Sequence, residues 1–190
     1  MDRVSVSMII KDESERLPAA LESLNKLSSL DEIVIVDTGS TDGSIDIARN
    51  FGAKVIEEPW RQDFAYHRNR SMAACRNNWI FVLDGDEFLE DSGDLDDLIG
   101  SREIDGVALK IHTVSENGEG ERFHFVRAFD RRKGRWAFPI HNQVVGLGPV
   151  AISSARIVAY YDEDNHVAQT RRLVILNKAL EANPDEPHHL

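Results

Sequence analysis

The chain has 190 residues, 42% of them hydrophobic and 29% charged, which suits one globular unit with a sizeable core. Acids outnumber bases by 33 to 22, for a formal net charge of -11. That balance is the opposite of the basic footprint of nucleic-acid-binding proteins, so no nucleic-acid partner is expected. The single cysteine, Cys75, excludes an internal disulfide and a cysteine-based zinc framework. No run reaches the roughly 18 apolar residues of a membrane span, and no secretory core precedes the first strand-like run. The expected location is cytoplasmic, at most peripheral to the inner face of a membrane.

Strand-like runs alternate with helical spacing through the first half. Val4–Ile10 reads as a strand, and Leu17, Ala20, Leu21, Leu24 and Leu27 follow at helical spacing. Asp12 with Glu15 three residues later has the form of a capping box, and Pro18 falls in the first turns, where a missing N–H is tolerated. Glu32-Ile33-Val34-Ile35-Val36 is a continuous run of the kind a parallel sheet buries on both faces. It leads into Asp37-Thr38-Gly39-Ser40-Thr41-Asp42-Gly43 and a short helix to Asn50, with Gly52 as its stop. Lys54–Glu57 reads as a third strand, residues 63–76 as a helix, and residues 79–83 as a fourth strand. This order predicts an α/β fold with an open, mostly parallel sheet flanked by helices, in which ligands bind outside the carboxyl ends of the strands.

After residue 100 the alternation weakens. Residues 106–112 and 122–129, Gln143–Val145 and Val150–Tyr160 read as strands without crossover helices, which predicts a smaller mixed or antiparallel section. Residues 115–121 read as a polar loop. Residues 170–182 read as a C-terminal helix with Leu173, Leu176 and Leu180 on one face, similar to the end of a tetratricopeptide-like unit.

Four segments carry chemical content. The apolar run Trp79-Ile80-Phe81-Val82-Leu83 ends in Asp84-Gly85-Asp86-Glu87. An Asp-x-Asp at a strand tip suits a hard divalent cation, and Mg²⁺ typically binds through one or two carboxylates plus substrate phosphates, so an incomplete acidic cage implies a phosphorylated ligand. A solvated acidic turn is the simpler alternative. Asp37 ends another strand, where a carboxylate can accept from a base imide or a ribose hydroxyl and Gly39 lets backbone approach; equally, Asp37 and Ser40 can cap the next helix. Asp37-Thr38-Gly39-Ser40 also matches the active-site string of aspartic peptidases, but that chemistry needs two such aspartates and no second Asp-Thr-Gly occurs. His67-Arg68-Asn69-Arg70 offers Arg68 for phosphate, or an exposed basic face. Trp136-Ala137-Phe138-Pro139-Ile140-His141-Asn142-Gln143 brings a histidine after an aromatic approach; a lone histidine is more often structural.

Taken in order, Ser7-Met8-Ile9-Ile10-Lys11-Asp12-Glu13, Val36-Asp37-Thr38-Gly39-Ser40-Thr41-Asp42-Gly43, His67-Arg68-Asn69 and Leu83-Asp84-Gly85-Asp86-Glu87 resemble the family 2 glycosyltransferases, inverting enzymes with the A-type nucleotide-sugar fold. The resemblance implies a UDP-sugar donor, Mn²⁺ or Mg²⁺, and a hydroxyl acceptor on a glycan, a lipid-linked saccharide or a protein. It implies that Lys11, Glu13, Asp37, Gly39, Arg68, Asn69, Asp84 and Gly85 line the donor site, with Glu13 and Asp37 at base and ribose and Arg68 at the diphosphate. Asp86, with Asp84 and His141, would hold the cation. The acceptor's proton needs a base. In the subgroup most resembled, the histidine is commonly followed by Glu, whereas His141 is followed by Asn142, and a later His-x-Gly-Tyr-like stretch is replaced by Ala159-Tyr160-Tyr161-Asp162. Asp130, His141 and Asp162 are therefore the candidate catalytic residues, with Asp164 and His166 as further substitutes. The implied organisation is a catalytic domain over residues 1–168, its nucleotide half about 1–100 and its acceptor half about 101–168. Residues 169–190 would then open a helical-repeat region. A non-catalytic nucleotide-sugar binding module is the alternative.

Overall fold

The computed structural model describes residues 2–115, 118–160 and 174–175. Its elements in chain order are β1 (Val4–Ile10), α1 (Leu17–Ser23) with a 3₁₀ turn (Leu24–Lys26), β2 (Leu30–Asp37), α2 (Ser44–Asn50), β3 (Lys54–Glu57), α3 (Phe64–Ala73), β4 (Trp79–Val82), β5 (Glu87–Asp91) and α4 (Leu95–Leu98). There follow β6 (Gly106–Ser115), β7 (Gly118–Asp130), β8 (Arg135–Ala137), β9 (Gln143–Val145) and β10 (Val150–Tyr160).

One eight-stranded sheet runs β3-β2-β1-β4-β7-β6-β10-β5, and β8 pairs with β9 in a separate ribbon. The first four strands are parallel, as the alternation predicts. The later strands form the expected mixed section, joined edge to edge with the parallel half, and β8-β9 is antiparallel. β7 joins antiparallel to β4, β6 pairs antiparallel with β7, and β10 lies between β6 (parallel) and β5 (antiparallel). The expected two halves are thus continuous through one sheet.

Apolar runs explain the parallel half. Val6, Met8, Ile10, Ile35, Phe81 and Leu83 face one side with Leu17, Leu21 and Ala48, while Val34, Ile80 and Val82 face the other with Ala65, Met72 and Trp136. Both faces of the central strands are therefore covered, which is what continuous β-branched runs require.

Only residues 83–86 separate β4 from β5, although the two stand four places apart in the sheet. Four strand spacings of about 4.8 Å come to roughly 19 Å, about the limit of so short a link even when fully extended. The link is not extended, because the Glu87 N–H donates to the Asp84 carbonyl at 3.1 Å. The sheet must curl, bringing β5 round toward α1. There the Leu89 N–H donates to Ser23 Oγ at 2.9 Å and Lys26 Nζ donates to the Leu89 carbonyl at 2.7 Å.

Some local expectations are corrected. The capping box at Asp12 does not form: Arg16 occupies the N-cap of α1 without a side-chain bond, and Asp12, with φ of 54°, instead accepts from the Thr41 N–H at 2.7 Å. β5, α4 and β8 were not anticipated. The polar 115–121 loop is narrower than expected, since β7 already begins at Gly118. Of the expected tail helix, only Val174 and Ile175 are described, both helical; the rest of residues 161–190 lies outside the described residues.

A buried hydroxyl chain ties α3 to the sheet. Ser7 donates to Ser71 at 2.9 Å and Ser71 donates to the Val34 carbonyl at 3.0 Å. We predict that Ser71→Ala, which strands the Ser7 hydroxyl, costs about 1–3 kcal/mol. Urea denaturation should show a lower midpoint with an unchanged slope; an unchanged midpoint would contradict it.

Candidate active site

A cleft of about 670 Å³ opens at the carboxyl ends of β1, β2 and β4. Its walls include Lys11 and Glu13 after β1, Thr38 after β2, Arg68 on α3, Asp84, Gly85 and Asp86 after β4, and His141 and Asn142 between β8 and β9. Trp60, Phe64, Ile140 and Phe123 supply apolar surface. Sequence-distant segments converge here, three of them because the parallel strands β1, β2 and β4 end at one edge of the sheet.

The loops after β1 and β2 are laced together. The Asp12 N–H donates to Ser40 Oγ at 2.9 Å, the Glu13 N–H to Ser44 Oγ at 2.8 Å, and the Ser14 N–H to Asp42 Oδ2 at 2.9 Å. Asp42 also accepts from the Ser44 N–H and hydroxyl. These bonds outweigh its partial desolvation and hold its carboxyl well below the usual range. The lacing fixes where Lys11 and Glu13 enter the cleft. A Cβ on Gly85 would stand 2.8 Å from Glu13 Cγ and 3.3 Å from Ile10 Cγ2, so glycine lets the Glu13 side chain lie across the turn.

Asp84 is gripped by the planar fork of Arg68: Nη1 lies 2.8 Å from Oδ1, and Nη2 donates to Oδ2 at 2.8 Å. Arg68 Nε donates to Asn142 Oδ1 at 2.9 Å, and the guanidinium carbon sits 4.8 Å from the Trp136 ring centroid. A second arginine, Arg127 on β7, bonds Glu87 and lies 3.7 Å from Asp84 Oδ2. Burial works against ionisation of Asp84, but Arg68 and Arg127 outweigh it and hold its pKa low. For Glu87, burial together with Asp84 and Asp86 acts upward against Arg127. Asp86 has no ion pair among the described residues. Burial, then the Asp84 and Glu13 charges, push it up to about 7.

Several anticipated residues sit elsewhere. Asp37 is 1% exposed and does not line the cleft; its carboxylate accepts from the Gly39 and Ser40 N–H groups, each at 2.9 Å, and from the Ser40 hydroxyl. It shapes the loop that carries Thr38, and Gly39, at φ of 108°, supplies the left-handed bend. Asn69 points away from the cleft and clasps β8, accepting from the Trp136 N–H at 3.0 Å and donating to its carbonyl at 2.9 Å. Asp130 is a correction on firmer grounds. It pairs with Trp79 at the start of β4, five residues or roughly 16 Å along the chain from Asp84 at about 3.3 Å per residue, and forms an ion pair with Arg132. It cannot take a proton in this cleft. Asp162, Asp164 and His166 lie outside the described residues. His67, buried and stacked on Trp60 at 5.0 Å, accepts from the Arg61 N–H at 3.1 Å; burial lowers its pKa, so it serves as a neutral support.

Arg127 escaped sequence reading, although a charge inside the apolar run Phe125-Val126-Arg127-Ala128-Phe129 is itself a signal. Trp60, Phe64 and Phe123 carried no motif.

Among the described residues no group of three or more His, Cys, Asp or Glu side chains forms a ready metal cage. The donor set present fits a hard cation that arrives with ligand phosphates: one carboxylate, Asp86, lacks a cationic partner, while Asp84 stands beside it already neutralised.

The unpartnered Asp86 has a consequence for stability. A carboxyl raised from 3.8 to about 7 in the folded state contributes fully below about pH 4 and loses that contribution as pH rises to 7. Asp86→Asn should therefore be more stable than the parent at pH 8, by on the order of 2–4 kcal/mol, and equal to it near pH 4. Denaturation midpoints measured across pH 4–8 check this; a pH-independent difference would refute it.

Comparison with known proteins agrees with this geometry. The model of Glycosyl transferase family 2 matches residues 5–147. A TPR repeat-containing protein of Synechococcus elongatus is 44% identical over 89 residues, 47% of this chain and 22% of that protein. The chain spans less than a third of the length of the curated relatives it matches at highest identity. Among solved structures, the mannosyltransferase PcManGT from Pyrobaculum calidifontis, in complex with GDP-Man and Mn²⁺, has a TM-score of 0.67 at 18% identity, covering 94% of this chain and 64% of that one. S. aureus TarS 1-349 in complex with UDP has a TM-score of 0.63 at 17% identity, covering 98% and 68%. With most of its length matched by the family model and its sheet shared with these enzymes, the chain belongs to glycosyl transferase family 2.

Proposed function

We propose that the protein transfers a sugar, with inversion, from a UDP-sugar to a hydroxyl on a glycan, lipid-linked saccharide or protein, with Mn²⁺ or Mg²⁺ bound. The observation that carries this is the convergence of Lys11, Glu13, Arg68, Asp84 and Asp86 on one cleft, with Asp86 in no ion pair among the described residues. The UDP complex of TarS and the GDP-Man and Mn²⁺ complex of PcManGT support a nucleoside diphosphate and a divalent ion by analogy of fold.

Asp86, with Asp84 beside it, holds the cation, and Lys11 and Arg68 meet the diphosphate. Glu13 and the backbone at Thr38 flank base and ribose. The bound cation supplies electrostatic stabilisation of the departing diphosphate. In a protein of net charge -11, this local positive charge is what allows an anionic donor to bind. The acceptor oxygen attacks the anomeric carbon as the bond to the diphosphate oxygen breaks, and the acceptor's proton passes to a base. Asn142 is an amide, bonded to Arg68, and cannot take it. His141, exposed in the cleft beside it, is the base in this reading.

Calorimetric titration of UDP, with GDP in parallel, with and without Mn²⁺, tests the donor site. UDP binding strengthened by Mn²⁺ in the parent and not in Asp86→Asn is expected; no UDP binding at millimolar concentration would sink the proposal. His141→Gln should lower the hydrolysis rate of the bound UDP-sugar by about 10²–10⁴-fold, the usual worth of a general base, while leaving UDP affinity unchanged. Equal hydrolysis rates would remove His141 from the mechanism.

The amide at Asn142 favours a second reading, a module that binds the nucleotide sugar without turning it over. Tight Mn²⁺-dependent UDP binding with no hydrolysis or transfer would select it.

A further inference from the structure

The turn after β4 places three carboxylates within four residues, Asp84, Asp86 and Glu87, beside Glu13. Left to repulsion, such a turn would splay. Arg127 meets it from β7. It is 7% exposed, on the strand next to β4, with Ala128 paired to Phe81. Its Nη2 donates to Glu87 Oε1, and its Nη1 stands 3.7 Å from Asp84 Oδ2. Its Nε has no acceptor among the described residues. The far oxygen of Glu87 accepts the Asp84 N–H at 3.0 Å, and the Glu87 N–H donates to the Asp84 carbonyl at 3.1 Å. The first and last residues of the turn are thus closed on one another, and a single guanidinium lies against both carboxylates. Asp86, between them, faces the cleft and has no ion pair among the described residues.

We propose that Arg127 is a positioning residue for the donor site: by bridging Asp84 and Glu87, it holds the backbone in the arrangement that directs Asp86 at the cation. The inference rests on the reading that Asp86 meets the cation of a bound nucleoside diphosphate. Arg127 itself does not line the cleft. Arginine is required because its planar fork reaches two carboxylates at once, whereas lysine offers a single point charge. A purely structural Arg127 would support every ligand of the cleft equally. A positioning Arg127 acts only through Asp86.

The experiment compares uridine and UDP binding by calorimetry, each with and without Mn²⁺, in the parent, Arg127→Lys, Glu87→Gln, Asp86→Asn and the Asp86→Asn, Arg127→Lys double variant. Arg127→Lys is expected to lose about 10- to 100-fold of the Mn²⁺-dependent gain in UDP affinity, the usual effect of removing a group that orients a metal ligand. Uridine affinity should stay unchanged. Glu87→Gln, which keeps the arginine and removes its other anchor, should show the same split, so the test survives if Arg127→Lys does not fold. Adding Arg127→Lys to Asp86→Asn should change nothing further, because the two act as one unit. Retention of the full Mn²⁺-dependent gain in both Arg127→Lys and Glu87→Gln would overturn the assignment. So would a parallel fall in uridine and UDP affinity, which is the mark of lost packing. Absence of any Mn²⁺-dependent UDP binding in the parent would overturn the donor-site reading as well, and so separates the two failures.

Discussion

Residues 83–86 are the constraint on which the rest of the molecule depends. They join β4 to a strand four places away, so the sheet has to curl, and the curl turns the carboxyl ends of β1, β2 and β4 into one wall of a cleft. The same curl seats the edge strand β5 against α1, where Ser23 and Lys26 satisfy backbone groups of Leu89 that would otherwise mark an open sheet edge. A longer link would permit a flatter sheet and a shallower site. The shortness of the link and the acidity of its residues therefore belong together: the chain turns most tightly where the carboxylates are needed.

The electrostatics follow from that geometry. Packing Asp84, Asp86 and Glu87 into one turn is costly unless cations are supplied, and two arginines arrive from elements on either side, Arg68 from α3 and Arg127 from β7. They leave an unequal result. The pKa of Asp84 is held low, whereas that of Asp86, in no ion pair among the described residues, is raised to about 7 by burial and by Asp84 and Glu13. A site with a carboxylate in no ion pair among the described residues, an exposed lysine and a guanidinium at its wall is complementary to a cation and a phosphate arriving together more than to either alone.

The parallel half of the fold was readable because its strands are buried on both faces and so appear as largely apolar runs, from Val4–Ile10, interrupted only by Ser5 and Ser7, to Trp79–Val82. The tip of β4 was readable because three acids after such a run have no packing explanation. β5 was missed because Glu87-Phe88-Leu89-Glu90-Asp91 continues an acidic stretch, and its strand character depends on β10 and α1, which are remote in sequence. Asp130 misled for a related reason: a run of β residues gives no strand direction, and β7 runs antiparallel to β4, which carries Asp130 to the wrong end of the sheet. Asp37 and Asn69 carry the expected side chains at the expected spacing, but spacing does not show where their hydrogen bonds go, which is to the loop after β2 and to Trp136.

Asn142 shows how such support shapes chemistry. Its amide oxygen accepts from Arg68 Nε while the two outer nitrogens of the same guanidinium grip Asp84, so three separate segments meet on one planar group. A carboxylate at this position would compete with Asp84 for Arg68 and add a further charge to an acidic cleft. The amide orients the guanidinium without altering the charge balance, at the loss of a group able to take a proton. His141, held in the left-handed region at φ of 49° and exposed in the cleft, is placed by that same short segment between β8 and β9, where the proposed mechanism assigns it the proton. Asn69, by clasping Trp136, fixes the segment to α3, the helix that also carries Arg68. The groups assigned to donor binding and to proton transfer are therefore mounted on one rigid unit, so any shift of β8 would move both together.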